Sequence, residues 1–204
     1  MDIAKILPLA FVMIAGPQII SAFFFATSES WAKASAAYVL GAALSITLVV
    51  SAAYLLANGA SSDSSDSGLS TLDYVVLALL VFAAVHTFRS RHQTEPPKWM
   101  GKLQTATPKM TFVLGFLLLG FFPSDIVTSI SVGSFLAGHG DPWSEALPFI
   151  GLALLLLATP ALLVAALGAR AQAFLPKARD WMNKNSWIVS EFVIVLFIAI
   201  VLSG

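Results

Sequence analysis

Asp125 stands apart from every other acidic residue in the chain. Of the eleven Asp and Glu residues, ten lie in polar connections or near the ends of apolar runs, whereas Asp125 lies near the middle of the fourth run. Placing an Asp at the centre of a membrane helix costs ~2.5–3.5 kcal/mol, so such a residue usually faces a cavity, pairs with a partner, or meets a proton or substrate. No apolar run carries a deep Lys or Arg. Asp125 is therefore expected to be neutral for part of any working cycle, or to meet a proton or a substrate cation.

Hydroxyl and amide groups cluster near it by spacing. Thr128 and Ser129 follow Asp125 by three and four residues and share its helical face, and Ser21 stands in the same relation to Gln18 in the first run. With Ser124, the residues Gln18, Ser21, Asp125, Thr128 and Ser129 form one candidate polar site at the middle of the membrane. The bland alternative is interhelical hydrogen-bonding glue. His86 and Glu191 are weaker candidates: a histidine in the headgroup region, and a carboxylate capping a helix start or pairing with basic residues. His139 and Asp141 sit in a glycine-containing loop with too few ligands for a metal site. Gly41, Gly115 and Gly120 fit close helix contact better than binding. With no Cys, thiol catalysis, thiolate metal sites and disulfides are excluded. No paired deep acids and no Ser-His arrangement within one run point to an enzyme, and no cofactor is expected.

The elements that hold these residues are apolar helices. The 204 residues are 58% hydrophobic and only 11% charged, with mean hydropathy +0.86, against about 25% charged in soluble domains. Apolar runs at about 6–26, 36–58, 73–88, 110–137, 146–169 and 187–203 predict six spans of an all-α integral membrane protein. Met1-Asp2-Ile3-Ala4-Lys5 lacks the basic start and cleavage site of a signal peptide and is expected to be retained. Ser61–Gly68 is an acidic, serine-rich tract with too little apolar content to pack. Ser70-Thr71-Leu72-Asp73 has the residues of a capping box. Net charge is zero, which argues against a nucleic-acid partner.

Ten of the eleven Lys and Arg residues fall in the connections 27–35, 89–109 and 170–186, and Lys5 is the exception. Positive charge is retained on the cytoplasmic side, so these three connections are expected inside and both termini outside, in the plasma membrane. Residues 171–182 mix aromatic and basic side chains, which suits a short interfacial helix on the inner leaflet or an ordinary cytoplasmic loop.

Three spans starting outside and three starting inside make an inverted repeat, 1–88 and 110–204, joined by the basic linker 89–109. The first span carries Gly16-Pro17-Gln18 and the fourth carries Phe122-Pro123-Ser124-Asp125. Each proline removes a backbone donor and clashes with the preceding turn, so helices 1 and 4 are expected to be broken, either as packing kinks or where they line a cavity. Ser30-Trp31-Ala32-Lys33-Ala34 and Pro142-Trp143-Ser144-Glu145-Ala146, in the loops after the two breaks, show a short similarity that carries little weight.

With two three-span halves, Gly16-Pro17-Gln18, a basic middle linker and Phe122-Pro123-Ser124-Asp125, the chain resembles the GAP family, also called sulfolipid-addressing proteins, within the lysine exporter (LysE) superfamily. The resemblance implies a six-span exporter or helper of export, with members linked to moving glycolipids to the cell surface and relatives exporting amino acids or ions. It implies a homodimer and points to Gly16, Pro17, Gln18, Pro123, Ser124 and Asp125. The chain lacks the membrane Cys pair of thiol-disulfide carriers, the His clusters of nickel exporters and the paired acids of divalent-metal exporters. The expectation is a secondary-type exporter working by alternating access around the midplane site. Its cargo would be a lipid, a glycolipid or another small amphipathic molecule, with proton coupling at Asp125 as one option. Competing readings are an amino-acid or cation exporter, and a non-transport scaffold for a larger lipid-export machine.

Overall fold

Pro17 and Pro123 set helix breaks where the sequence places them, whereas Pro8, Pro160 and Pro176 lie inside continuous helices. The computed structural model describes residues 3–14, 16–63 and 106–184. The first apolar run folds as two helices, α1 (Ile3–Ile14) and α2 (Pro17–Ala26), bent by 64°. The fourth folds as α4 (Pro108–Phe121) and α5 (Pro123–Gly138), bent by 65°. In both pairs the second helix opens with Pro at its first position, where the missing N–H removes nothing the helix would have used and the ring presets φ.

Between the broken pairs runs α3 (Trp31–Asp63), 33 residues long. Helices rise ~1.5 Å per residue, so α3 is roughly 50 Å long and exceeds a hydrocarbon core of ~30 Å. Hydropathy marked only its apolar centre. The helix continues through Trp31–Ser35, which sequence reading assigned to a loop, and through Ser61–Asp63 of the serine-rich tract. The connection from α2 to α3 is thus only Thr27–Ser30. After α5 a single 3-10 turn, Trp143–Ala146, leads into α6 (Leu147–Leu167), and Gly168, with φ 55, separates it from α7 (Ala169–Lys184). Where sequence reading left interfacial helix and loop both open for residues 171–182, the chain is helical.

All regular structure among the described residues is helical. Two stretches, Trp31–Gly59 and Trp143–Leu167, are long and apolar enough to cross a membrane singly, and each bent pair is long enough to make one more crossing. The runs at 73–88 and 187–203, with His86 and Glu191, lie outside the described residues, as does most of the linker 89–109.

α3 carries two opposite stripes at four-residue spacing. Ala34, Tyr38, Ala42, Ile46 and Val50 are buried, while Leu40, Leu44 and Leu48 are exposed. The buried stripe packs chiefly on α4 and α5, and α1 and α2 pack chiefly on α6. Each broken pair therefore rests on the long helix from the other part of the chain. Glycine makes the α3–α4 seam close: a Cβ on Gly41 would collide with the Phe112 carbonyl, and one on Gly115 with the Tyr38 carbonyl. Gly120 faces the Ser45 hydroxyl in the same way, so all three glycines singled out in the sequence sit in tight helix contacts. A smaller apolar cluster of Ala26, Val164, Ala171 and Leu175 docks α7 against α2 and α6, leaving Arg170, Phe174, Lys177 and Trp181 exposed.

Candidate functional site

The two breaks meet. Gln18, second residue of α2, and Asp125, third residue of α5, are both completely buried, and Gln18 Nε2 donates to Asp125 Oδ2 at 2.7 Å across 107 residues of sequence. Ser124 Oγ donates to Asp125 Oδ1 at 3.1 Å. Each carboxylate oxygen thus has a donor, and Asp125 lies in the first turn of α5, where the helix dipole favours negative charge. These terms offset the cost of burying the group. Among the described residues no Lys or Arg pairs with it.

How each break is built differs. Gly16 caps α2 with φ 146 and ψ −146, a conformation L side chains rarely adopt, and a Cβ there would lie 2.9 Å from Gln18 Oε1. Gly16 both turns the chain and leaves room for the Gln18 amide to reach Asp125. At the second break Phe122 is ordinary extended backbone, φ −72 and ψ 131, and its carbonyl accepts from Asp125 and Ile126 N–H, each at 3.0 Å. That carbonyl anchors the first turn of α5, and so the carboxylate it carries.

Of the residues grouped by spacing, Gln18, Ser124 and Asp125 are joined by hydrogen bonds. Thr128 is buried, but its hydroxyl donates to Ser124 O at 2.8 Å within its own helix. Ser21 and Ser129 are buried; the Ser129 hydroxyl has no hydrogen-bond partner, and the Ser21 hydroxyl lies beside that of Tyr38 without a well-formed bond. His139 closes the end of α5, its Nδ1 2.8 Å from Phe135 O and its ring centroid 4.0 Å from that of Phe135. Asp141 uses its backbone carbonyl to accept from Tyr54 OH at 3.0 Å. Among the described residues no three of His, Asp and Glu lie together as metal ligands.

Sequence reasoning missed Tyr38. Its hydroxyl donates to Gln18 O at 2.9 Å, its ring packs 4.9 Å from that of Phe25, and it is fully buried beside Ser21 and Asp125. An aromatic near the start of a span reads as an interfacial anchor. The signal that could have found it is its place in the buried four-residue stripe of α3, three residues before Gly41.

Residues 6–204 match the protein family described as Sap, sulfolipid-1-addressing protein, and the chain belongs to that family. No curated protein and no solved structure matches it.

Proposed function

We propose that this helical membrane protein of the sulfolipid-1-addressing family is a secondary-type exporter that moves a lipid, a glycolipid or another small amphipathic molecule outward. In this reading the chain has six spans arranged as two inverted three-helix repeats, with both termini outside, in the plasma membrane. It works as a homodimer without enzymatic chemistry, and it belongs to the wider lysine exporter superfamily that includes the GAP proteins. Alternating access takes place around the Gln18–Asp125 contact, with Asp125 as the group that couples cargo movement to an ion, a proton in the first instance. The family match supports lipid-related export.

One observation carries the mechanism: two proline-broken helices meet start to start inside an apolar bundle, tied by the Gln18 amide and the Asp125 carboxylate at 2.7 Å. Discontinuous helices at the midplane are the usual site of substrate and ion binding in secondary transporters, because helix ends offer unpaired backbone groups there. Closing the contact removes Gln18 and Asp125 from any guest, and opening it exposes both. The contact can therefore be in a different state on the two sides of a transport cycle.

A second reading, export of an amino acid or a cation, is favoured by the complete burial of Asp125, Gln18, Ser21 and Ser129, since an enclosed polar site suits a small solute better than an acyl chain. The test is flux of candidate lipids, amino acids and cations in liposomes, with and without a proton gradient, for wild type and Asp125→Asn. Gradient-driven lipid flux that Asp125→Asn abolishes supports the leading reading. Flux of the small solutes alone selects the second. Unchanged lipid flux in Asp125→Asn, with loss of flux on changing the loops, points to a scaffold for a larger export machine.

A further inference from the structure

Hydroxyls in the bundle fall into two groups. Thr27, Thr111, Thr128, Ser131 and Thr159 each donate to a carbonyl three or four residues back in their own chain segment, the common way for an apolar helix to satisfy a hydroxyl. Ser21, Ser35 and Ser129 do not, although all three are buried; Ser35 lies on α3, and Ser21 lies beside the Tyr38 hydroxyl. Ser21 lies one turn beyond Gln18 on α2 and Ser129 one turn beyond Asp125 on α5, so each shares the face that carries one member of the contact. Gln18 Oε1 is also buried without a partner, because the amide spends its N–H on Asp125. Gln18 Oε1, Ser21 and Ser129 are thus buried oxygens on the two helix starts that meet at Asp125.

The breaks add backbone acceptors at the same level. Pro17 and Pro123 have no N–H, so the carbonyls of Met13 and Leu119, four residues back, lose their helical donors. Among the described residues no other backbone N–H replaces either one, and both residues are completely buried. The carbonyl ends of α1 and α4 therefore point toward the breaks at which Gln18 and Asp125 meet.

This is a set of oxygens with one negative charge. Hard cations take oxygen ligands, from carboxylates, amide and backbone carbonyls and hydroxyls. A divalent ion would leave a positive charge uncompensated in an apolar interior, whereas a monovalent ion matches the single carboxylate. We propose that Asp125, Gln18 Oε1, Ser21 and Ser129, with the freed carbonyls of Met13 and Leu119, form a binding site for a dehydrated monovalent cation, sodium. Sodium then occupies the carboxylate in place of a proton. Its role as a coupling ion rests on the exporter reading; its binding does not, because that follows from the oxygens alone.

The site is tested on the purified full-length protein by thermal unfolding at constant ionic strength, with sodium chloride replaced stepwise by choline chloride. Sodium should raise the melting temperature saturably. Asp125→Asn should abolish the shift, and Ser129→Ala should raise the half-saturating sodium concentration by about fivefold, the equivalent of one lost ligand contact. Thr159→Val, on the exposed side of α6, should leave the sodium response unchanged. A wild-type melting temperature indifferent to sodium overturns the proposal, as does a shift that persists undiminished in both Asp125→Asn and Ser129→Ala. A sodium-dependent shift without cargo flux in liposomes would overturn the exporter reading and leave the cation site standing, whereas flux without any sodium effect would do the reverse.

Discussion

The two broken helix pairs bend by nearly the same angle, 64° and 65°, and both restart on proline, yet they divide the chemistry unequally. Counted from the proline, Gln18 in the first pair corresponds to Ser124 in the second, and Ile19 to Asp125. The first break supplies a neutral amide and a backbone that only glycine tolerates at Gly16; the second supplies the charge on ordinary backbone. Shape is therefore shared while function is not. Proline removes one donor and clashes with the preceding turn, yet Pro8, Pro160 and Pro176 lie inside helices that continue, so what the two pairs share is a helix restarted on proline. A buried charge is costly enough that one copy, with the partner's amide donating to it, is easier to hold than two facing each other.

That asymmetry can be broken experimentally. Asp125→Asn keeps the shape of the second break but removes its charge, and cargo flux should fall by about tenfold or more, on the scale of a lost charge-assisted hydrogen bond. An equal fall in Ser124→Ala would mean that the carboxylate has no special part. Next in size is the backbone contrast. Gly16→Ala should destabilise the protein by ~1–3 kcal/mol, as for a side chain forced into a conformation reserved for glycine, while Phe122→Leu, a smaller apolar side chain on ordinary half-buried backbone, should cost less, about 1 kcal/mol; denaturation midpoints compare the two. Tyr38→Phe removes a hydrogen bond that serves only the first break, through Gln18 O, and should cost ~0.5–1.5 kcal/mol with a larger effect on flux than a matched Tyr54→Phe. Thr128→Val should have the smallest effect on flux, at a stability cost of about 0.5 kcal/mol, the low end for a lost hydrogen bond, because its hydroxyl serves its own helix.

Local physics made the breaks legible. Pro17 and Pro123 each state their effect within one turn, and the structure bends at both. Gln18 and Asp125 could be grouped as candidates because polar groups are scarce in apolar runs, but their hydrogen bond depends on how two helix starts approach, which spacing does not encode. Thr128 shows the converse. Its spacing from Asp125 is that of a site residue, and only the rotamer that returns its hydroxyl to Ser124 O takes it out of the polar contact. Tyr38 was hidden because residue type said anchor while its stripe said core. Helix ends were least legible: hydropathy saw α3 from 36 to 58, yet it runs Trp31–Asp63 because polar residues extend a helix without adding to an apolar average.

The glycine seam between α3 and α4 carries a consequence for mechanics. Backbones that touch at Gly41 and Gly115 have no side chains between them to slide or re-pack, so those two helices must travel as a single girder. Since α5 also lies on α3, and α1 and α2 lie on α6, a slip plane for the proposed transport cycle does not follow the order of the chain. On the exporter reading it separates α1 and α2, with α6, from α3, α4 and α5, α6 also touching α3, and the amide of Gln18 and the carboxylate of Asp125 face each other across it as a latch.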